Sequence, residues 1–118
     1  MHSISFNMET TLHNVNGDID LMISIAEIVM EDLPELVRRL RVAGDQSDWL
    51  NVQQGAHAIR GMAANLVAQP LTNLASRLEC LGESDQVLIH EAVDTIDRIA
   101  DLTRKALRIE INRWRSTM

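Results

Sequence analysis

Along this chain apolar residues recur at spacings of three and four, and they do not alternate with polar ones in the manner of half-buried strands. Met22, Ile25, Val29, Leu33, Leu36 and Leu40 share one face of a helix and predict one over residues 19–43, with Asp18 as its N-cap after the polar break at residues 14–18. Pro34 lies inside that stretch. Lacking an N–H, it is expected to kink the helix or loosen one turn, or else to divide it in two. Gly44 is expected to end the helix and Ser47 to cap the next, whose stripe of Trp49, Val52, Ala56, Ile59, Ala63 and Leu66 predicts a helix over residues 48–68. Gln69-Pro70 stops it. Proline suits a first helical turn, and Leu71, Leu74, Ala75, Leu78 and Leu81 predict a short helix over residues 70–81, closed by Gly82.

Ser84 or Asp85 then opens a last helix, expected over residues 85–114, in which Ile89, Val93, Ile96, Ala100, Thr103, Leu107, Ile111 and Trp114 keep helical spacing. Unbroken, it runs roughly 45 Å at ~1.5 Å per residue. Short connections favour antiparallel neighbours, so the four helices predict an all-α, antiparallel up-down four-helix bundle. Ile4, Phe6, Met8 and Leu12 predict a short additional N-terminal helix over residues 4–14, lying as a lid. With 118 residues, the length suits one domain, and no repeat or low-complexity linker divides it.

Composition supports this picture. The chain is 46% hydrophobic but only 3% aromatic, so its interior is built of Leu, Ile, Val, Met and Ala, the residues of helix-on-helix packing. Met22, Met30 and Met62 stand at helical positions where packing accounts for them. A net charge of −6 argues against nucleic acid or an anionic membrane surface as partner and leaves another protein. Cys80 is the single cysteine, which excludes a disulfide framework and suits a reducing compartment. His2, His13 and His90 have no ligand spacing, so no metal site is expected. No apolar run reaches the ~18 residues of a membrane span and the first residues do not form a secretory signal, so the expected location is cytoplasmic, without membrane insertion of this segment.

Ala56-His57-Ala58-Ile59-Arg60-Gly61-Met62-Ala63-Ala64-Asn65-Leu66 is the stretch that carries chemistry. At ~100° per residue, His57 points away from Val52, Ile59, Ala63 and Leu66 and therefore toward solvent or a partner. A free imidazole is a competent nucleophile near neutral pH. Arg60, about 60° around the helix, is placed to offset the roughly two negative charges of a phosphoryl group on the ring. Gly61 lies on the same outward face, where core packing does not explain a residue that costs ~1 kcal/mol against alanine in a helix. Gly61, Ala64 and Ala68 are expected to form a lane of small side chains along which a partner reaches the ring. Gln53 and Asn65, on flanking positions, are further candidates for partner contact. No glycine-rich nucleotide loop or Walker lysine occurs, so the chain is not expected to use ATP by itself.

These residues resemble the histidine phosphotransfer (HPt) domain family, whose signature looks like Ala-His-x-Leu-Lys-Gly-x-x-x-Asn-Leu-Gly-Ala. The resemblance extends to Gly17-Asp18 before the long helix, to Asp32-Leu33-Pro34-Glu35-Leu36 inside it, and to Leu74-Ala75-Ser76-Arg77-Leu78-Glu79. It implies a phosphocarrier of a multistep two-component phosphorelay without kinase activity of its own. His57 would accept the phosphoryl group of a receiver-domain aspartate and pass it to another response-regulator receiver, and the receiver would supply the magnesium. Such a module stands free or forms the cytoplasmic C-terminal part of a membrane-anchored hybrid sensor kinase. The chain departs from the signature at Arg60, which keeps the charge of the usual lysine, and at Val67, which replaces a glycine where the helix exits toward Pro70. The alternative function is a non-catalytic helical adaptor or dimerisation bundle that keeps the fold and transfers nothing.

Overall fold

The structure, a computed structural model, describes residues 6–117, and these form five α-helices and one 3-10 turn, with no strand among them. The chain runs α1 (Met8–Asn14), α2 (Ile19–Asp45), α3 (Trp49–Ala64), α4 (Gln69–Glu79), the 3-10 turn at Glu83–Asp85, and α5 (Gln86–Ser116). The expected start of the N-terminal helix at Ile4 lies outside the described residues. Asn7 begins α1 by accepting a hydrogen bond from the Thr10 N–H (2.9 Å), while its own N–H donates to the Leu66 carbonyl (2.9 Å) and ties α1 to the α3–α4 turn.

Cross-helix pairs show that α2 and α5 run antiparallel. Arg41 in the last third of α2 meets Asp94 and Asp97 in the first half of α5, and Glu27 near the start of α2 meets Arg115 at the end of α5. On α3, His57 and Arg60 both reach Glu79 at the end of α4. With α2 packed on α3, α3 on α4, and α5 against both α2 and α4, the four helices close a ring around one core. That core holds Met22, Leu33 and Leu40 from α2, Val52 and Ile59 from α3, Leu71 and Leu78 from α4, and Ile89, Ile96 and Leu107 from α5. Thr103 is buried in the α5 stripe, and its hydroxyl donates to the Ile99 carbonyl of the same helix (2.7 Å).

Several boundaries differ from the sequence expectation. Pro34 does not divide α2: the helix is continuous over Ile19–Asp45, and Pro34 sits on its exposed side. Buried Leu33 and Val37 on either side hold the turn in place. Gly44 does not end α2 but lies buried within its last turn, where an added Cβ would sit 4.0 Å from Val93 Cγ2. Ser47 does not cap α3. It stands in the left-handed region (φ 55°), with its N–H donating to Gly44 (3.1 Å) and the Asp48 N–H to Ala43 (2.9 Å), and Asp48 is the residue whose side chain accepts from the Asn51 N–H (3.3 Å).

The end of α3 has the same geometry. Instead of reaching residue 68, the helix stops at Ala64, with Val67 N–H donating to Ala64 and Ala68 N–H to Ala63, both at 3.0 Å. Val67 takes φ 55°, the left-handed conformation for which glycine is the low-cost residue. The backbone therefore makes the turn a glycine would make, with a β-branched side chain bearing the strain. On α2, Ile25 and Leu36 are only partly buried, because the buried stripe is centred on Met22, Ala26, Val29, Leu33, Val37 and Leu40. No helix among the described residues is long and apolar enough to cross a membrane.

Candidate functional site

Val52, Ala56, Ile59 and Ala63 turn one side of α3 into the core, and that commitment forces His57 outward, with 68% of its side chain exposed. Its ring is not free of contacts. Nδ1 lies 3.2 Å from Glu79 Oε2 and 3.0 Å from Arg60 Nη2, and the Arg60 Nε donates to Glu79 Oε1 at 2.5 Å. Three charged or titratable groups thus close a triangle between α3 and the last residue of α4.

Nδ1 cannot serve both neighbours at once. Toward Glu79 it must carry the proton and donate, and toward Arg60 it must be bare and accept. In the first tautomer the lone pair is on Nε2, the nitrogen facing away from the triangle; in the second, Nε2 carries the proton. Glu79 is 24% exposed, and although burial pushes its carboxyl upward, hydrogen bonds from Arg60 and then His57 hold it below the usual carboxylate range. Glu79 therefore stays a carboxylate to lower pH than an ordinary glutamate, and an anion beside Nδ1 favours the proton there.

On the other side of His57 lies a groove of about 390 Å³ between α2 and α3, lined by Ile25, Ile28, Val29, His57, Ala58, Gly61, Met62 and Asn65. Ile28 is 54% exposed, and Leu21, one helical heptad before it, is exposed as well. An apolar strip therefore runs along α2 beside the imidazole. Gly61 is exposed, and a Cβ built on it would meet nothing within 4 Å, so nothing within the chain requires glycine there. At Gly55, two residues before His57, an added Cβ would sit 3.4 Å from Leu40 Cδ1 on α2, in packing contact with that helix.

The other expected residues fall as follows. Gln53 is exposed one turn before His57, Ala64 is exposed beyond Gly61, and Asn65 is exposed at the end of α3, in the wall of the groove. Ala68 does not belong to this surface. It is 2% exposed, because α3 ends at Ala64 and helical spacing no longer applies four residues later. The expected lane of small side chains is accordingly Gly61 and Ala64 alone.

Sequence reasoning missed Glu79 as a member of the site, and it missed the contribution of Ile25 and Ile28. Glu79 was detectable in principle: in an antiparallel pair turning near Val67, residues about equally far from the turn stand level, and His57 and Glu79 do so. The α2 residues carry no such signal, because Ile25 also packs against the core and Ile28 stands outside its stripe.

A model of the family described as Hpt domain matches residues 24–116, which take in α3, α4, α5 and most of α2. No curated protein and no solved structure matches the chain significantly.

Proposed function

The chain belongs to the Hpt domain family, whose members are phosphocarriers of phosphorelays rather than kinases, and on that premise we propose that His57 is its phosphoryl-accepting residue. The observation that carries this reading is the exposed imidazole of His57, oriented by Glu79 and flanked by a bare helix face and an apolar groove. The partner is a response-regulator receiver domain bearing an aspartyl phosphate. It docks over Gly61, Ala64 and Asn65 on α3 and the Leu21, Ile25 and Ile28 strip on α2, with Gln53 at the rim.

In the transfer, the Nε2 lone pair of the Nδ1–H tautomer attacks phosphorus in line with the acyl phosphate bond. The P–O bond breaks and its electron pair returns to the aspartate carboxylate. Arg60, with 40% of its side chain exposed and its guanidinium already 3.0 Å from the ring, swings to the phosphoryl oxygens and offsets their charge. Docking expels water and fixes the line of attack, which is where most of the rate comes from in phosphoryl transfer. Any magnesium belongs to the receiver side. Discharge onto a second receiver is the same path reversed, with His57 as leaving group.

The test is transfer from a radiolabelled, phosphorylated receiver. The wild-type chain is expected to gain an acid-labile, base-stable label as the receiver loses it, and His57→Gln to gain none. Equal labelling of His57→Gln would place the acceptor elsewhere.

A further inference from the structure

A second apolar stripe runs along α5, apart from the one that builds the core. Leu88, Thr95, Leu102 and Ile109 recur every seventh residue, and Ala92, Ile99 and Ala106 each stand four residues after one of the first three. Such spacing is that of the seam between two coiled helices. Leu88, Leu102 and Ile109 are exposed, and the other four are only partly buried. With 11 residues against 31, α4 covers α5 over a fraction of its length. Between the two lies a groove of about 230 Å³ whose walls include Leu74, Leu81, Leu88 and Ala92, with Arg77 and Glu91, and beyond it Leu102 and Ile109 stand open to solvent.

We propose that this stripe is the docking surface for a second copy of the chain, α5 against α5 in antiparallel order. Charge selects that occupant. Acidic residues fill the first half of α5 and its approach (Glu83, Asp85, Glu91, Asp94, Asp97, Asp101), and basic ones fill the second half (Arg104, Lys105, Arg108, Arg113, Arg115), with Arg98 and Glu110 as exceptions. An antiparallel copy sets each acidic half beside the other's basic half, whereas a parallel copy would set like against like. Arg41 already neutralises Asp94 and Asp97, so Glu91, in no ion pair among the described residues, is the acid left for the copy.

Shape agrees with charge. With Ile99 beside the copy's Thr95, helical repeat brings Leu102 beside its Ala92 and Leu88 beside its Ala106, so a large side chain meets a small one in each layer. The same register sets Glu91 across from the copy's Lys105. Arg98 then falls beside its own counterpart near the two-fold axis, the one like-charged contact of the seam. A stripe of roughly 30 Å makes a small interface, so association in the micromolar range is expected. Because α3 lies across the ring from α5, the dimer leaves both His57 faces open, and it would form whatever His57 does.

The experiment is sedimentation equilibrium of the full chain from micromolar to several hundred micromolar concentration. The mass is expected to rise from the 13.3 kDa of one chain toward twice that value. A monomer throughout would overturn the proposal and leave the stripe to a partner of different sequence. Leu102→Gln is expected to weaken association about tenfold, since two-fold symmetry removes the leucine twice, while the dilute chain unfolds at nearly the wild-type temperature because Leu102 is exposed. A dimer that survives this change intact would place the interface elsewhere. Lys105→Glu is expected to weaken association about three- to tenfold, and adding Glu91→Lys to restore it. Failure of the swap to restore it would refute the pairing. Orientation is read from spin labels on Asn112→Cys in a Cys80→Ser background, both positions being exposed. The antiparallel register holds the two labels roughly 45 Å apart, and a separation near the ~10 Å of packed parallel helices would overturn it.

Discussion

Gly61 separates stability from function more cleanly than any other position on α3. It lies within the helix, is exposed, and has open space where a Cβ would project. Replacing it with alanine removes glycine's helix penalty, about 0.5–1 kcal/mol so near the helix end, without meeting any neighbour. For a chain of this length that raises the midpoint of thermal unfolding by roughly 2–6 °C. Gly61→Leu should stabilise by a similar amount, since leucine is almost as good a helix former as alanine. Its side chain, however, stands one turn from His57 on the face proposed for receiver docking. Displacement of the donor by an ångström or more is expected to slow transfer about 100-fold. The assay pairs thermal unfolding by circular dichroism with single-turnover transfer from a phosphorylated receiver. A Gly61→Leu chain that is more stable and still transfers at the wild-type rate would refute docking over this face. One that unfolds earlier would mean that the helix surface here is not open.

Val67→Gly should relieve a left-handed β-branched residue, a cost of about 1–2 kcal/mol, against roughly 0.5–1 kcal/mol of added chain entropy. A net gain of about 0.5–1 kcal/mol in urea unfolding is expected, and a loss would show that the valine is not strained. Ala68→Asp should destabilise by more than about 2 kcal/mol because it buries a carboxylate, whereas Ala64→Asp, on the exposed face, should change stability by roughly 0.5 kcal/mol or less. Equal effects would put the two alanines on the same surface. The lowered Glu79 carboxyl predicts a pH dependence of definite sign. Its contribution to stability is fully present above the ordinary carboxylate range and is lost as pH falls through its depressed folded value. The stability difference between wild type and Glu79→Leu should therefore be present at neutral pH and vanish in acid, and a difference that grows on acidification would contradict the triangle.

The helices themselves were legible because their buried faces are long and strictly periodic: every member of the α5 stripe from Ile89 to Ile111 is buried. His57 was legible for the same reason, since a residue opposed to Val52, Ile59 and Ala63 has nowhere to go but outward. Helix ends were less so. Glycine marks a left-handed helix exit in sequence, but here Ser47 and Val67 occupy that conformation, so both ends of the α3 segment were displaced and Ala68 was carried onto a surface it does not share. Pro34 left division of the helix open as an alternative, and α2, packed on α3 and α5, is continuous through it. Glu79 escaped because its role depends on a neighbour across two helices rather than on spacing within one.

The most direct test of the central claim is to map the phosphate after transfer from a receiver, by fragmentation of the intact chain under alkaline conditions. The account predicts one phosphate, on the His57 imidazole, absent from His57→Gln and bonded through Nε2 in the ring-nitrogen NMR spectrum. A phosphate on any other residue, or on Nδ1 of His57, would contradict it.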